Sequence, residues 1–317
     1  MLFAAYLALF SALSFAASTT MLRRGVMKGT VAQAMAVTVP LGAVVGWLAL
    51  LATGAIWPLD ASFHLVSFAS LAGIVHFVAG RYCHYRAIQA IGANLVAPVQ
   101  QTSVVVTLLL AVGVLGELPT PLQMFGIAIV LLSPLIIIRQ AGGRAAAGGS
   151  QGFVPDLRSG YTFAGLSAIA FGLSPILISY GLREATGALS GLIAATIAYS
   201  AATLVVVSVL ACSRASFAGM PANRRSLGWY ALSGITVAVS QLFVYMALAI
   251  APASVIVPLQ RTSIVMRFGL AGMFNREAEV FDARMLVATV LCLLGAVAIA
   301  VDPAHIEALI RGLSAKS

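Results

Sequence analysis

Ten stretches of this chain are each about 20 residues long and apolar enough to cross a hydrocarbon core of roughly 30 Å at 1.5 Å per residue. They lie near 3–22, 31–53, 63–83, 89–112, 121–139, 160–180, 187–211, 227–249, 252–274 and 283–301. A backbone amide in hydrocarbon has no water to bond, so its partner must lie in its own helix or in a closed barrel. The runs are too long for barrel strands of about 9 to 11 residues, which leaves helices. The expectation is an all-α polytopic membrane protein with ten transmembrane helices. The chain is 61% apolar and 9% charged, too few charges to cover a soluble domain, where about 25% is usual. The first run has no basic residue ahead of it and leads into Arg23, Arg24 and Gly25. It reads as a structural helix rather than a signal peptide.

The same pattern excludes other classes. Cys83, Cys212 and Cys292 lie in or beside apolar runs with no ligand spacing around them, so packing is expected and neither a metal nor another cofactor is implied. The formal charge of +9 is dispersed among short loops, which argues against nucleic acid as a partner. There is no Gly-rich phosphate loop, no HExxH and no GxSxG, so the chain is not read as an enzyme. Membrane lipids and a small-molecule solute are the expected partners, and monomer and homodimer both remain open.

An internal duplication organises the chain. Residues 85–117 pair with 245–277 without a gap at an offset of 160, with 11 identities in 33 positions. The identities include Tyr85 with Tyr245, Pro98 with Pro258, Gln100 with Gln260, Thr102 with Thr262, Ser103 with Ser263 and Glu117 with Glu277. Apolar composition produces chance matches of Ala, Leu and Val, but not these polar ones. The segment 141–159, rich in Gly and Ala, reads as a linker. It separates a first five-helix repeat over 1–140 from a second over 160–302, with a short tail at 303–317. Five spans is an odd number, so the second half enters the membrane from the opposite face. The expected architecture is two five-helix inverted-topology repeats, a recurrent plan of secondary transporters.

Loop charges follow the same inversion. Arg23, Arg24 and Lys28 lie between spans 1 and 2, where the second half has Arg183 cancelled by Glu184. Asp60 stands alone between spans 2 and 3, where the second half has Arg214, Arg224 and Arg225. The positive-inside rule then puts both termini outside, with a short cytoplasmic turn between spans 3 and 4 near Arg81 and Arg86.

Polar residues inside the runs are the candidate site. Gln100, Ser103 and Thr107 share one face of span 4, and Gln260, Ser263 and Arg267 share the corresponding face of span 9. Two readings fit such a stripe: hydrogen-bonded glue between helices, or the lining of an aqueous cavity. Arg267, about 15 residues into its span, favours the cavity because a charge there costs about 3 kcal/mol on insertion scales. Arg261, which replaces Gln101 of the first half, joins the candidates, as do Tyr85 and Tyr245. Pro98 and Pro258 mark mirrored helix breaks. Ser174 and Pro175 suggest a further break in span 6. Glu117 and Glu277 sit at span ends and read as structural or gating residues. Arg81, His84 and Arg86 cluster with Tyr82 and Tyr85, either as an interfacial belt or as a basic vestibule for anionic solutes. At the offset of 160, Arg81, His84 and Arg86 face Gln241, Val244 and Met246, so this charge is not mirrored.

The chain resembles the EamA family of the drug/metabolite transporter superfamily. The residues that carry the resemblance are Ala87, Ala93, Pro98, Gln100, Thr102, Ser103, Gly116 and Glu117, then Ala247, Leu248, Ala253, Pro258, Gln260, Thr262, Ser263 and Glu277. The resemblance implies a secondary carrier of small metabolites, commonly an exporter, with both termini cytoplasmic, against the orientation the loop charges suggest. Span 1 lacks the membrane-embedded carboxylate of the small multidrug-resistance relatives. A neutral or basic cavity therefore points to a polar or amphiphilic solute, carboxylate-bearing, moved by alternating access, and a bacterial inner membrane is the expected location. The competing reading is a lipid-handling or scaffolding membrane protein that transports nothing.

Overall fold

The computed structural model describes residues 2–26, 29–54, 61–132, 156–185, 187–212 and 224–274, with single positions between 287 and 299. Glu277, Cys292, most of the 141–159 linker and the 303–317 tail lie outside the described residues, as do Lys28, Asp60 and Arg214. All secondary structure among the described residues is helical. In chain order the helices are α1 (Leu2–Val26), α2 (Val31–Ala52), α3 (Phe63–Gly73) and α4 (Arg81–Leu110), with π-helical turns at Ile74–Gly80 and Ala111–Leu115. They continue with α5 (Pro121–Leu132). Then come α6 (Leu157–Gly181), α7 (Ala188–Cys212), α8 (Arg224–Leu248), α9 (Ala253–Gln260) and α10 (Ser263–Phe274). Among the described residues six stretches are long and apolar enough to cross a membrane: α1, α2, Phe63–Ile91, α6, α7 and α8. Val99–Leu115 and α5 are shorter apolar helices.

Helix starts follow local side-chain chemistry. Thr30 and Gln33 exchange side-chain and backbone hydrogen bonds of 3.1 and 3.2 Å ahead of α2. Thr120 and Gln123 do the same ahead of α5, at 2.9 and 3.3 Å. Each pair satisfies two amides that helix geometry leaves without a carbonyl. Ser62 accepts from the Leu65 amide to open α3, and Asp156 accepts from the Ser159 amide to open α6. Pro175 does not break α6, which runs unbroken through it, as α2 runs through Pro40. Neighbouring helices hold such prolines in line.

Packing against α6 shows where the chain turns back. Along α6 from its C-terminal end, Phe68 meets Gly181, Gly80 meets Phe171 and Ile91 meets Gly160, so Phe63–Ile91 runs antiparallel to α6. Gln100 then bonds Ala164, Thr107 bonds Gly172 and Val114 bonds Arg183, so Val99–Leu115 runs parallel to it. The direction reverses between Ile91 and Val99. This corrects the expected turn near Arg81 and Arg86: Arg81 stands four residues past the midpoint of Phe63–Ile91, about 6 Å along the axis. It is 3% exposed, whereas Tyr82 is 44% exposed and faces outward. The belt reading fails for Arg81, His84 and Tyr85, all buried, because span 3 continues about one and a half to three turns beyond them.

The two halves interlock. The main partner of α1 is α8, and the main partners of α6 are α3 and α4. α2 packs on α8, α3 packs on α7, and α2 packs on α7. Glycines set these approaches, as small residues do where lipid-immersed helices meet closely. A Cβ on Gly73 would lie 2.1 Å from the Ala198 carbonyl oxygen, and one on Gly191 would lie 2.3 Å from that of Tyr245. Gly126 of α5 and Gly295 approach each other so closely that a Cβ on either would fall within 3 Å of the other's carbonyl oxygen. Because Gly73 abuts backbone rather than a movable side chain, Gly73→Ala should destabilise by about 1–3 kcal/mol. Gly113, whose Cβ position is open, should accept Ala within about 0.5 kcal/mol. Thermal unfolding of the purified protein in detergent checks both.

Candidate functional site

A buried cluster gathers where the halves meet. The Arg81 Nη2 donates to the Tyr199 hydroxyl at 2.9 Å, and Nη1 reaches the Thr38 carbonyl at 3.5 Å. The guanidinium also lies 4.9 Å from the Phe77 ring centroid and 5.4 Å from that of Tyr199. Phe77 and Tyr199 stack at 3.8 Å with 11° between their planes. The tilt and place of Tyr199 depend on Gly42, where a Cβ would sit 2.0 Å from its ring. The Tyr85 hydroxyl shares a 3.2 Å hydrogen bond with the Thr38 hydroxyl. Arg81 is thus held by α2 and α7 while standing at the head of α4.

Beside it is a small cavity of about 20 Å³, room for about one water molecule. Its polar wall includes Arg81, His76, His84, Tyr85 and Gln241, and Phe15, Leu22, Phe171 and Val237 form its apolar wall. Phe171 stacks on His76 at 4.5 Å. Both ring nitrogens of His84 and Nδ1 of His76 are buried with no hydrogen-bond partner among the described residues. Arg267, Arg261 and Arg81 all lie near enough to act on His84 electrostatically, and Arg81 and Arg261 act on His76.

The expected site residues fall into two groups. In α4, the Gln100 amide donates to Ser167 and to the Ala164 carbonyl, Ser103 donates to the Gln100 carbonyl at 2.6 Å, and Thr107 donates to the Ser103 and Gly172 carbonyls at 3.0 and 2.9 Å. These bonds join α4 to α6. The wall of the cavity does not include these three side chains. In the second half, Gln260 donates to Ser11 at 3.1 Å, and Ser11 shares a 3.0 Å bond with Ser240, linking α9, α1 and α8. Tyr245 and Ser263 are buried, and Arg267 is half-buried. Pro258 lies inside α9, which ends two residues later; Arg261 and Thr262 form a turn before α10. Pro98 lies within helical backbone at the head of the Val99–Leu115 arm. Gln101 and Arg261, which differ between the halves, are both buried, and both Gln101 amide atoms and the Arg261 Nε lack a partner among the described residues.

Glu117 caps a helix of the other half. Its two carboxylate oxygens accept from the Ala253 and Ser254 amides, at 3.0 and 2.8 Å, at the start of α9. Negative charge suits a helix N-terminus, where amides lack carbonyl partners. The loop after span 4 is thereby tied to the helix that carries Pro258 and Gln260.

Residues 2–139 match the EamA-like transporter family, part of the drug/metabolite transporter superfamily. The match spans 138 of the 317 residues, less than half of the chain. The matched family is one of transporters, and the apolar helices together with the match indicate an integral membrane protein. A solved structure titled "Crystal structure of protein" aligns over 93% of this chain and 94% of its own, with TM-score 0.70 and 16% identity, a likeness of fold alone. No curated protein matches the chain. The sequence resemblance rests on polar positions of spans 4 and 9; the buried Arg81, His76, His84 and Tyr199 were not part of it. A readable signal existed, since Arg81 and Gln241 pair at the offset of 160 and both line the cavity.

The cap predicts a graded effect. Glu117→Ala should cost about 1–2 kcal/mol of stability, as loss of a helix cap does, and Glu117→Gln, which keeps one acceptor, should fall between it and the native protein. Thermal unfolding in detergent checks the order.

Proposed function

We propose that this chain is an EamA-type secondary transporter that moves a small polar or amphiphilic metabolite, carboxylate-bearing, by alternating access about the cavity beside Arg81. Ten spans arranged as two inverted five-helix repeats supply the moving parts, and a bacterial inner membrane is the proposed location. The observation that carries the reading is the buried guanidinium itself. A structural protein has little reason to gather Arg81, two histidines whose ring nitrogens lack partners among the described residues and the nearby Arg261 around a cavity at mid-membrane, where charge costs about 3 kcal/mol or more. A binding site for a polar solute does. The exchange of partners, α1 with α8 and α6 with α3 and α4, supports the inverted plan, because each half lends its first helix to the other. Rocking of such halves changes the walls of a cavity that both of them build.

Single cysteines placed at Ser18 and Gln241, with Cys83, Cys212 and Cys292 replaced, test the reading in sealed vesicles. An impermeant thiol reagent should label them from at least one face of the membrane. Protection from both faces, in every condition under which the protein stays folded, would show a sealed interior and favour a scaffolding or lipid-handling protein.

A further inference from the structure

We infer that a groove between α1, α8 and α10 binds one anionic phospholipid, with a stretch of acyl chain in the groove and the phosphate among the arginines at its mouth. The groove and the Arg81 cavity lie on opposite faces of α1. The cavity is lined from this helix by Phe15, Ser18, Thr19 and Leu22, and the groove by Ala17, Thr20, Met21 and Arg24. The inference therefore stands apart from the transport reading.

The groove suits hydrocarbon. Its volume is about 150 Å³, the size at which an apolar cavity admits benzene, so it takes part of a chain and not a whole lipid. Ala17, Met21, Leu232 and Leu270 make it apolar, and the Thr20 hydroxyl donates to the Ala16 carbonyl at 3.0 Å. Water there would find few partners. Leu232 is 42% exposed, so the groove opens sideways to the bilayer. From Ala17 to Arg24 the helix rises about 10 Å, which carries the groove from the headgroup level down among the acyl chains.

The mouth suits a phosphate. The Arg24 guanidinium lies 4.9 Å from the centroid of Trp229, a ring that also lines the groove. An arginine can rest on an aromatic face and turn its N–H edge to a phosphate. α1 and α8 run antiparallel, since Ser11 meets Ser240, Ser18 meets Ser233 and Arg24 meets Trp229. The last turn of α1, with Arg23 and Arg24, therefore stands beside the start of α8, with Arg224 and Arg225. The connections next to these ends, residues 27–30 and 213–223, add Lys28 and Arg214 and contain no Asp or Glu. Basic clusters at the cytoplasmic ends of spans attract anionic headgroups. Arginines and a tryptophan at helix ends mark only the headgroup level; the chain-sized groove running down from them makes a site for one lipid. Because α1 belongs to the first half and α8 and α10 to the second, that lipid touches both.

The test uses the full chain, purified in detergent and offered phosphatidylglycerol or phosphatidylcholine with the same acyl chains, with bound lipid counted by native mass spectrometry. One phosphatidylglycerol should be retained in preference to phosphatidylcholine. Arg24→Gln should lower its affinity about fivefold, the effect of one basic residue near an anionic lipid, and Arg24→Lys should lower it less. Ala17→Phe, which fills the groove, should displace the lipid while leaving the arginines in place. Arg158→Gln, an exposed arginine at the start of α6 away from the groove, should change nothing. Where Ala17→Phe fails to fold, the comparison of Arg24→Gln with Arg158→Gln decides. Equal retention of the two lipids, undiminished phosphatidylglycerol in a folded Ala17→Phe variant, or equal loss in Arg24→Gln and Arg158→Gln would overturn the inference. A dimer without lipid would overturn it too, because a second copy of the chain would then cover the groove.

Discussion

The hydrogen bond from Arg81 to Tyr199 joins the two halves of the protein near the middle of the membrane, and much else is arranged so that it can exist. A guanidinium at that depth must have partners, and the local sequence offers it no acid. The partners come instead from α2, through the Thr38 carbonyl, and from α7, through a tyrosine hydroxyl and ring. Bringing α2 and α3 that close to α7 needs Gly42 under the Tyr199 ring and Gly73 against the Ala198 carbonyl. The small residues of the helix interfaces and the charge at the centre are two sides of one constraint.

The interlocked pairing gives that constraint a mechanical meaning. Because α1 rests on α8 and α6 on α3 and α4, neither half closes a core of its own. Arg81 is held from both sides, by Thr38 of the first half and Tyr199 of the second. Glu117, bonded to the first amides of α9, couples a loop of the first half to the broken helix of the second. Such carboxylate caps strengthen a helix start and tie it to a distant loop without a covalent link.

Much of the fold is legible in the sequence because the bilayer permits few backbones. Apolar runs announce helices, and Thr30 with Gln33 or Thr120 with Gln123 announce where helices begin. The limit of span 3 was hidden, since Arg81, Tyr82 and Arg86 look like headgroup residues and the true reversal, between Ile91 and Val99, carries Gly92, Asn94 and Pro98 inside an otherwise apolar stretch. The site was less legible for the same reason. A polar stripe such as Gln100, Ser103 and Thr107 looks identical from sequence whether it joins helices or lines a cavity, and in this fold Gln100 and Thr107 bond α6 while Ser103 bonds its own helix. The distinguishing sign was asymmetry within the repeat. Arg81 opposite Gln241, and Arg261 in place of Gln101, put charge on one side of each pair, and these positions converge around the interior of the protein.

The most direct test of alternating access about Arg81 is a distance measured between spin labels on the two halves, at the exposed positions Thr53 and Glu184, with the protein in liposomes. Two distance populations are the result the account predicts, and one narrow distance under every condition in which the protein stays folded would contradict it.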